Sequence, residues 1–267
     1  MKTDISHITY LLEEHYQKIH TPSFIENDPL QFAHRYKDRN DVEVVALLCA
    51  TIAWGRRKMI LSSCEKMLRE MGASPYDYVM NVDIDSIDTC GRAVHRTFSR
   101  EDFVFFIRAL RGIYSRYDTM EKIFMPLDGE TGTWEGINRF RSEMLMATHT
   151  DKNSRHISSP LKGSACKRLH LFLRWMVRCD GIDIGLWKNI SPSQLSIPLD
   201  VHVGNISRRL GILTRQANDR RAVEEIDTFL RRIDPIDPVR YDFALFGIGE
   251  SRYFENHTMQ ESLICTQ

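Results

Sequence analysis

Residues 159–178 read SPLKGSACKRLHLFLRWMVR. Pro160 and Gly163 mark a turn, and behind it Leu169, Phe172, Leu173, Met176 and Val177 recur at i, i+3, i+4, i+7 and i+8. That is the pattern of a helix with one buried face. Gly163, four residues ahead of Lys167, frees backbone N–H groups where the helix begins. Such donors, with the positive end of the helix, can hold a phosphate without any side chain. At 100° per residue, Lys167, Arg174 and Arg178 fall opposite the apolar face. Lys167 is therefore expected on a rigid frame.

The same stretch lies in a basic run. Lys152, Arg155, Lys162, Lys167, Arg168, Arg174 and Arg178 occur between Lys152 and Cys179 with no acidic residue among them, and Asp180 and Asp183 then restore negative charge. The whole chain has 36 basic and 36 acidic residues, so its formal net charge is zero. That balance argues against indiscriminate nucleic-acid binding, whereas a local basic block suits a confined polyanion site. A solvated helix face is the plainer alternative.

Outward from this centre the chain reads as helices. Asp41–Ala53 is almost wholly apolar and is expected to be a central buried helix. Arg57–Met71 follows, ended by Gly72; Ser99 to Asp102 reads as a capping box ahead of FVFFIRALRGIYSRY. Trp134–Ala147, Arg221–Ile233 and a last helix opened by Pro238 complete an all-α pattern of about a dozen helices. Loops are expected around Thr21–Asp28, Pro126–Thr133, Thr148–Ser159 and Gly181–Pro198.

Cys49, Cys64, Cys90, Cys166, Cys179 and Cys265 form no CxxC pair and no zinc-ligand spacing, so reduced thiols and no metal centre are expected. The N-terminal twenty residues are charged throughout, with no signal or membrane segment, which points to a cytoplasmic protein.

Leu161, Gly163 and Lys167 fall in register with the hairpin L-P-G-V-G-x-K of the helix-hairpin-helix (HhH-GPD) DNA glycosylase superfamily, which this segment resembles. Lys162 stands in place of the Pro and Ala165 in place of the second Gly. Downstream, Pro198-Leu199-Asp200-Val201-His202-Val203 and then Arg209-Leu210-Gly211 are similar to that superfamily's P-V-D-x-H-V loop and Arg-Leu-Gly. Lys167 and Asp200 are 33 positions apart, a long spacing that is similar to the archaeal-type 8-oxoguanine enzymes.

The resemblance implies two helical subdomains flanking a cleft within one compact unit. Residues 31–185 would form one, ending in the hairpin, and residues 1–30 with 186–267 the other. It implies a bifunctional DNA N-glycosylase and AP lyase acting on double-stranded DNA with a damaged base. Lys167 would be the nucleophile that forms a Schiff base, an option open to an amine that cationic neighbours keep neutral. Asp200, chemically at home at a helix N-cap, would stabilise charge on the sugar.

Lys162, Gly163, Ser164, Ala165, Arg168, Arg174 and His202 would contact DNA, and Trp54, Tyr241, Phe243 and Phe246 would wall the base pocket. No cofactor is implied beyond a monovalent cation at the hairpin. A monomer without membrane attachment, associated with the nucleoid when on DNA, and 8-oxoguanine as the excised base complete the expectation. A catalytically inactive DNA-binding protein of the same fold and a helical protein–protein adaptor are the alternatives. A Lys167–Asp200 separation within about 4–6 Å, in an open cleft, discriminates among them.

Overall fold

The computed structural model describes residues 5–148, 154–251 and 253. Lys152 of the basic run and Cys265 lie outside the described residues. Among those described there are thirteen α-helices and no strand, only isolated bridges such as Ser164 with Asp219.

The chain begins with α1 (Ile5–Ile19), the short turns α2 (Ser23–Glu26) and α3 (Leu30–Ala33), and the central α4 (Arg39–Thr51). Next come α5 (Arg57–Met71), α6 (Pro75–Asn81), α7 (Arg100–Tyr114), α8 (Glu121–Phe124) and α9 (Trp134–Thr148). After the hairpin come α10 (Lys167–Val177), α11 (Val201–Arg209), α12 (Arg220–Ile233) and α13 (Tyr241–Glu250).

Caps set several of these boundaries. Asp38 accepts from the N–H groups of Asn40 and Asp41 to start α4, and the Ser99–Asp102 capping box starts α7. Three elements differ from the sequence reading, the first being α2, a single helical turn inside the loop expected around Thr21–Asp28. The charged N-terminal segment is the amphipathic helix α1, which buries Ile8, Leu11, Leu12, His15 and Tyr16. Pro238 opens a 3-10 turn, and the last helix starts three residues later at Tyr241.

A single apolar cluster runs through the described residues. α10 lies against α4, α1 and α11 pack on α13, and α7 packs on α9. Trp175, Phe172 and Leu173 of α10 are fully buried. Because α10 is enclosed on several sides, its supposedly outward face is not outward: Arg174 and Arg178 are 3% and 1% exposed. No helix among the described residues is long and apolar enough to cross a membrane.

Candidate active site around Lys167 and Asp200

Pro160–Lys162 forms one 3-10 turn, which Gly163 ends in the left-handed region at φ 75°. The hairpin is then tied to the start of α12, where the Gly163 carbonyl accepts from the Arg220 N–H at 2.9 Å. Cys166, next in line, also has a positive φ of 47°, a costly conformation for a residue with a Cβ. That turn sets Lys167 at the first position of α10.

Asp200 is the N-cap of α11, with Oδ1 accepting from the Val203 N–H at 2.9 Å. Its other oxygen, Oδ2, lies 3.4 Å from Lys167 Nζ, and each side chain is about 30% exposed. Lys167 Nζ also donates to the Ala53 carbonyl at 3.3 Å, which ties the amine to the end of α4. Asn218 fixes the other partner's backbone by donating to the Asp200 carbonyl at 3.1 Å. The amine and the carboxylate are thus close enough for each charge to influence the other directly.

The amine opens into a cavity of about 520 Å³ walled by Trp54, Arg155, His156, Ser164, Arg168 and Asn218. Trp54 stacks on His156 with centroids 5.6 Å apart, and the Arg168 guanidinium sits 5.1 Å from the indole. Arg168 also donates to the Thr51 carbonyl at 3.0 Å. Burial lowers the His156 pKa, and Arg168 and Arg155 push it the same way against Asp102, so the imidazole is neutral near pH 7. Burial pushes the Cys166 thiol up to about 11, so it stays protonated near neutral pH. Arg96 and Cys166 are the described non-glycine residues with positive φ, and both border this region, Arg96 beside cavity-lining Thr97.

The structure distributes the other sequence-derived candidates unevenly. Lys162 and Gly163 are exposed at the hairpin, Ser164 is half-buried in the cavity wall, and Ala165 is buried at 8%. His202 is exposed one residue past Val201 on α11. Arg174 is a correction: it is locked in ion pairs with Asp183 and Asp242 and cannot reach a phosphate. Arg178 is held likewise by Asp180, Asp183 and Asp237.

Tyr241 and Phe243 are also corrections as pocket walls. Tyr241 is 1% exposed and donates from its hydroxyl to Glu13 at 2.6 Å. Phe243, equally buried, lies under Arg174 with the guanidinium 4.3 Å from the ring centroid. Trp54 does line the cavity, whereas Phe246 lines a different one. His156, Ser158 and Asn218 carry no motif that marks them in the sequence; of the added wall residues only Arg155 has a signal, through the acid-free run. Among the described residues no three His, Cys, Asp or Glu side chains group as metal ligands.

A model of the family described as "protein of unknown function (DUF2400)" matches residues 28–251, and the chain belongs to that family. This corrects the HhH-GPD resemblance, whose motifs cover residues 161–211 with three substitutions in the hairpin and an unusual spacing. No curated protein and no solved structure matches the chain.

Proposed function

We propose that the protein is a DNA N-glycosylase with AP lyase activity, using Lys167 as nucleophile and Asp200 as its carboxylate partner. The observation that carries this reading is the 3.4 Å approach of Lys167 Nζ to Asp200 Oδ2 at the edge of an open, cationic cavity. A lysine held only for structure needs neither the cavity nor the two strained residues bordering it. Arg155, Arg168 and the exposed Lys162 supply positive charge for a sugar–phosphate strand, and the hairpin adds backbone donors.

Attack at C1′ requires the nucleotide to leave the base stack. As the C1′–N bond breaks, its electron pair departs with the base and positive charge develops on the sugar, where the Asp200 carboxylate stabilises it. The Lys167 amine bonds to C1′, its proton passes to Asp200 or to the departing base, and sugar-ring opening yields an imine. Loss of the C2′ proton then expels the 3′ phosphate, which nicks the strand, and hydrolysis of the imine restores the amine.

The preference for 8-oxoguanine rests on spacing within the HhH-GPD superfamily, and without that membership the spacing carries no assignment of the base. The lysine chemistry is supported by the Lys167–Asp200 geometry. Purified protein is expected to nick a duplex with one abasic site and to keep doing so in EDTA, because imine chemistry uses no divalent ion. Lys167→Gln is expected to abolish nicking while retaining DNA binding. Nicking by Lys167→Gln, or EDTA inhibition reversed by zinc or magnesium, contradicts the reading.

A further inference from the structure

The helices that carry Lys167 and Asp200 pack chiefly on other partners, α10 on α4 and α11 on α13. What joins them is the segment 215–220, which leads into α12. At the hairpin end, Ser164 bridges Asp219, and the Gly163 carbonyl accepts from the Arg220 N–H at 2.9 Å. At the other end, Asn218 Nδ2 donates to the Asp200 carbonyl at 3.1 Å. One short strap therefore holds both halves of the candidate site.

Arg208, in the last turn of α11, fastens the strap. Its Nε donates to the Arg215 carbonyl and its Nη2 to the Gln216 carbonyl, both at 2.8 Å, and Nη2 also donates to Asn218 Oδ1. No carboxylate pairs with Arg208 among the described residues, so its guanidinium serves the strap instead. The two partners also fix which way the Asn218 amide points, since a carbonyl only accepts and a guanidinium only donates. Gly204 makes room for this arrangement. A Cβ there would stand 2.6 Å from Asn218 Oδ1 and 3.0 Å from Arg208 Nη1, so an added methyl would displace the amide. Glycine inside a helix costs about 1 kcal/mol relative to alanine, so α11 is weaker for keeping Asn218 in place. Asn218 itself is exposed at the cavity wall, where it adds little to the core.

Resting on the lysine chemistry above, we propose that Asn218 and Arg208 are positioning residues that set the distance between the Asp200 carboxylate and the Lys167 amine. They act through Asp200. Asn218 clamps its backbone from outside α11, while the Val203 N–H holds Oδ1 from within the helix. With the backbone and one oxygen both held, Oδ2 is directed at Lys167 Nζ, 3.4 Å away. Release of the strap leaves the N-cap bond intact but frees α11 to shift against the hairpin. A displacement of about 1 Å can cost on the order of 100-fold in rate.

The experiment measures single-turnover nicking of an abasic-site duplex by wild type, Asn218→Ala, Gly204→Ala, Asp200→Asn and the double variant of Asn218→Ala with Asp200→Asn. Duplex affinity and urea midpoints are measured alongside. Asn218→Ala is expected to slow nicking at least about 10-fold with affinity unchanged. Gly204→Ala, which displaces the Asn218 amide without removing it, is expected to match that loss. In the Asp200→Asn background, removing Asn218 is expected to cost less than about 2-fold, because the carboxylate it positions is already gone. Arg208→Lys keeps the charge but cannot reach three acceptors at once, and it carries the same cycle if Asn218→Ala does not fold. A loss that recurs in full in the Asp200→Asn background, or normal rates in Asn218→Ala and Gly204→Ala, overturns the positioning role and leaves Lys167 and Asp200 in place. Failure of wild type to nick, or normal nicking by Asp200→Asn, overturns the reading on which that role rests.

Discussion

One helix carries two basic clusters with opposite fates. At the C-terminal end of α10, Arg174 and Arg178 are buried among Asp180, Asp183, Asp237 and Asp242. Burial works against their charge, yet those carboxylates hold both pKa values above the ordinary arginine range. At the N-terminal end, Lys167 has one carboxylate, a third of its side chain exposed, and an open cavity beside it. Four acidic groups around two arginines more than offset the arginine charge and make a closed strut. One carboxylate beside one amine leaves a group that can still react.

The comparison gives its largest expected effect at the strut. Arg178→Ala leaves buried Asp183 with only its longer 3.3 Å pair to Arg174 and is expected to cost about 3–5 kcal/mol in urea unfolding. Lys167→Ala is expected to cost under about 1 kcal/mol, as for a half-exposed ion pair. Equal losses at the two positions would erase the distinction.

Next comes Asp200→Asn, expected to slow abasic-site nicking at least about 100-fold, roughly 3 kcal/mol of transition-state stabilisation. Asparagine caps helices as well as aspartate does, so stability should shift by only a few tenths of a kcal/mol. A variant of normal activity would reduce Asp200 to its role at the start of α11.

A smaller effect concerns pH. His170, on the buried side of α10, makes no hydrogen bond through either ring nitrogen among the described residues, and burial lowers its pKa to about 3. Its folded pKa lies below the unfolded value, so its stabilising contribution is complete above about pH 6.5 and is lost as pH falls toward 3. At pH 5 the unfolded chain gains on the order of 2 kcal/mol from protonating this residue. Relative to pH 7.5, His170→Leu is therefore expected to gain that much on wild type at pH 5. Asp183 and Asp227, raised by burial to about 6, act in the opposite direction, but in both proteins alike. A pH-independent difference would mean that His170 is protonated in place.

The smallest effect is at the cavity rim. Charge reversal at Lys162 or Arg155 is expected to weaken DNA binding whatever the base. It should also make the slope of log K against log salt shallower by about 1 for each phosphate no longer neutralised. Arg174→Met, inside the strut, is expected to leave that slope unchanged.

The same contrast marks how far the sequence can be read. Apolar periodicity and caps are local signals, so α4, α5, α9 and α12 are legible to within two residues and α7 to within three. α1 is harder to see because its charged residues mask the Ile8, Leu11, Leu12 spacing. The Lys167–Asp200 pair is legible because a turn and an N-cap carry short-range signatures. The fate of Arg174 is not, because half its neutralisation comes from Asp242, 68 positions away, and a helical wheel shows which residues share a face but not what covers it. Tyr241 and Phe243 mislead for the same reason, their aromatic rings serving the strut and α1 rather than a cavity. Asn218 has no local signal at all.

The central claim is tested most directly by borohydride reduction of wild-type protein mixed with an abasic-site duplex, followed by peptide mapping of the adduct. One covalent protein–DNA species is expected, with the sugar remnant on Lys167 and no such species from Lys167→Gln. Nicking without any trapped species, or an adduct mapped to Lys162 or another lysine, would contradict the lysine chemistry.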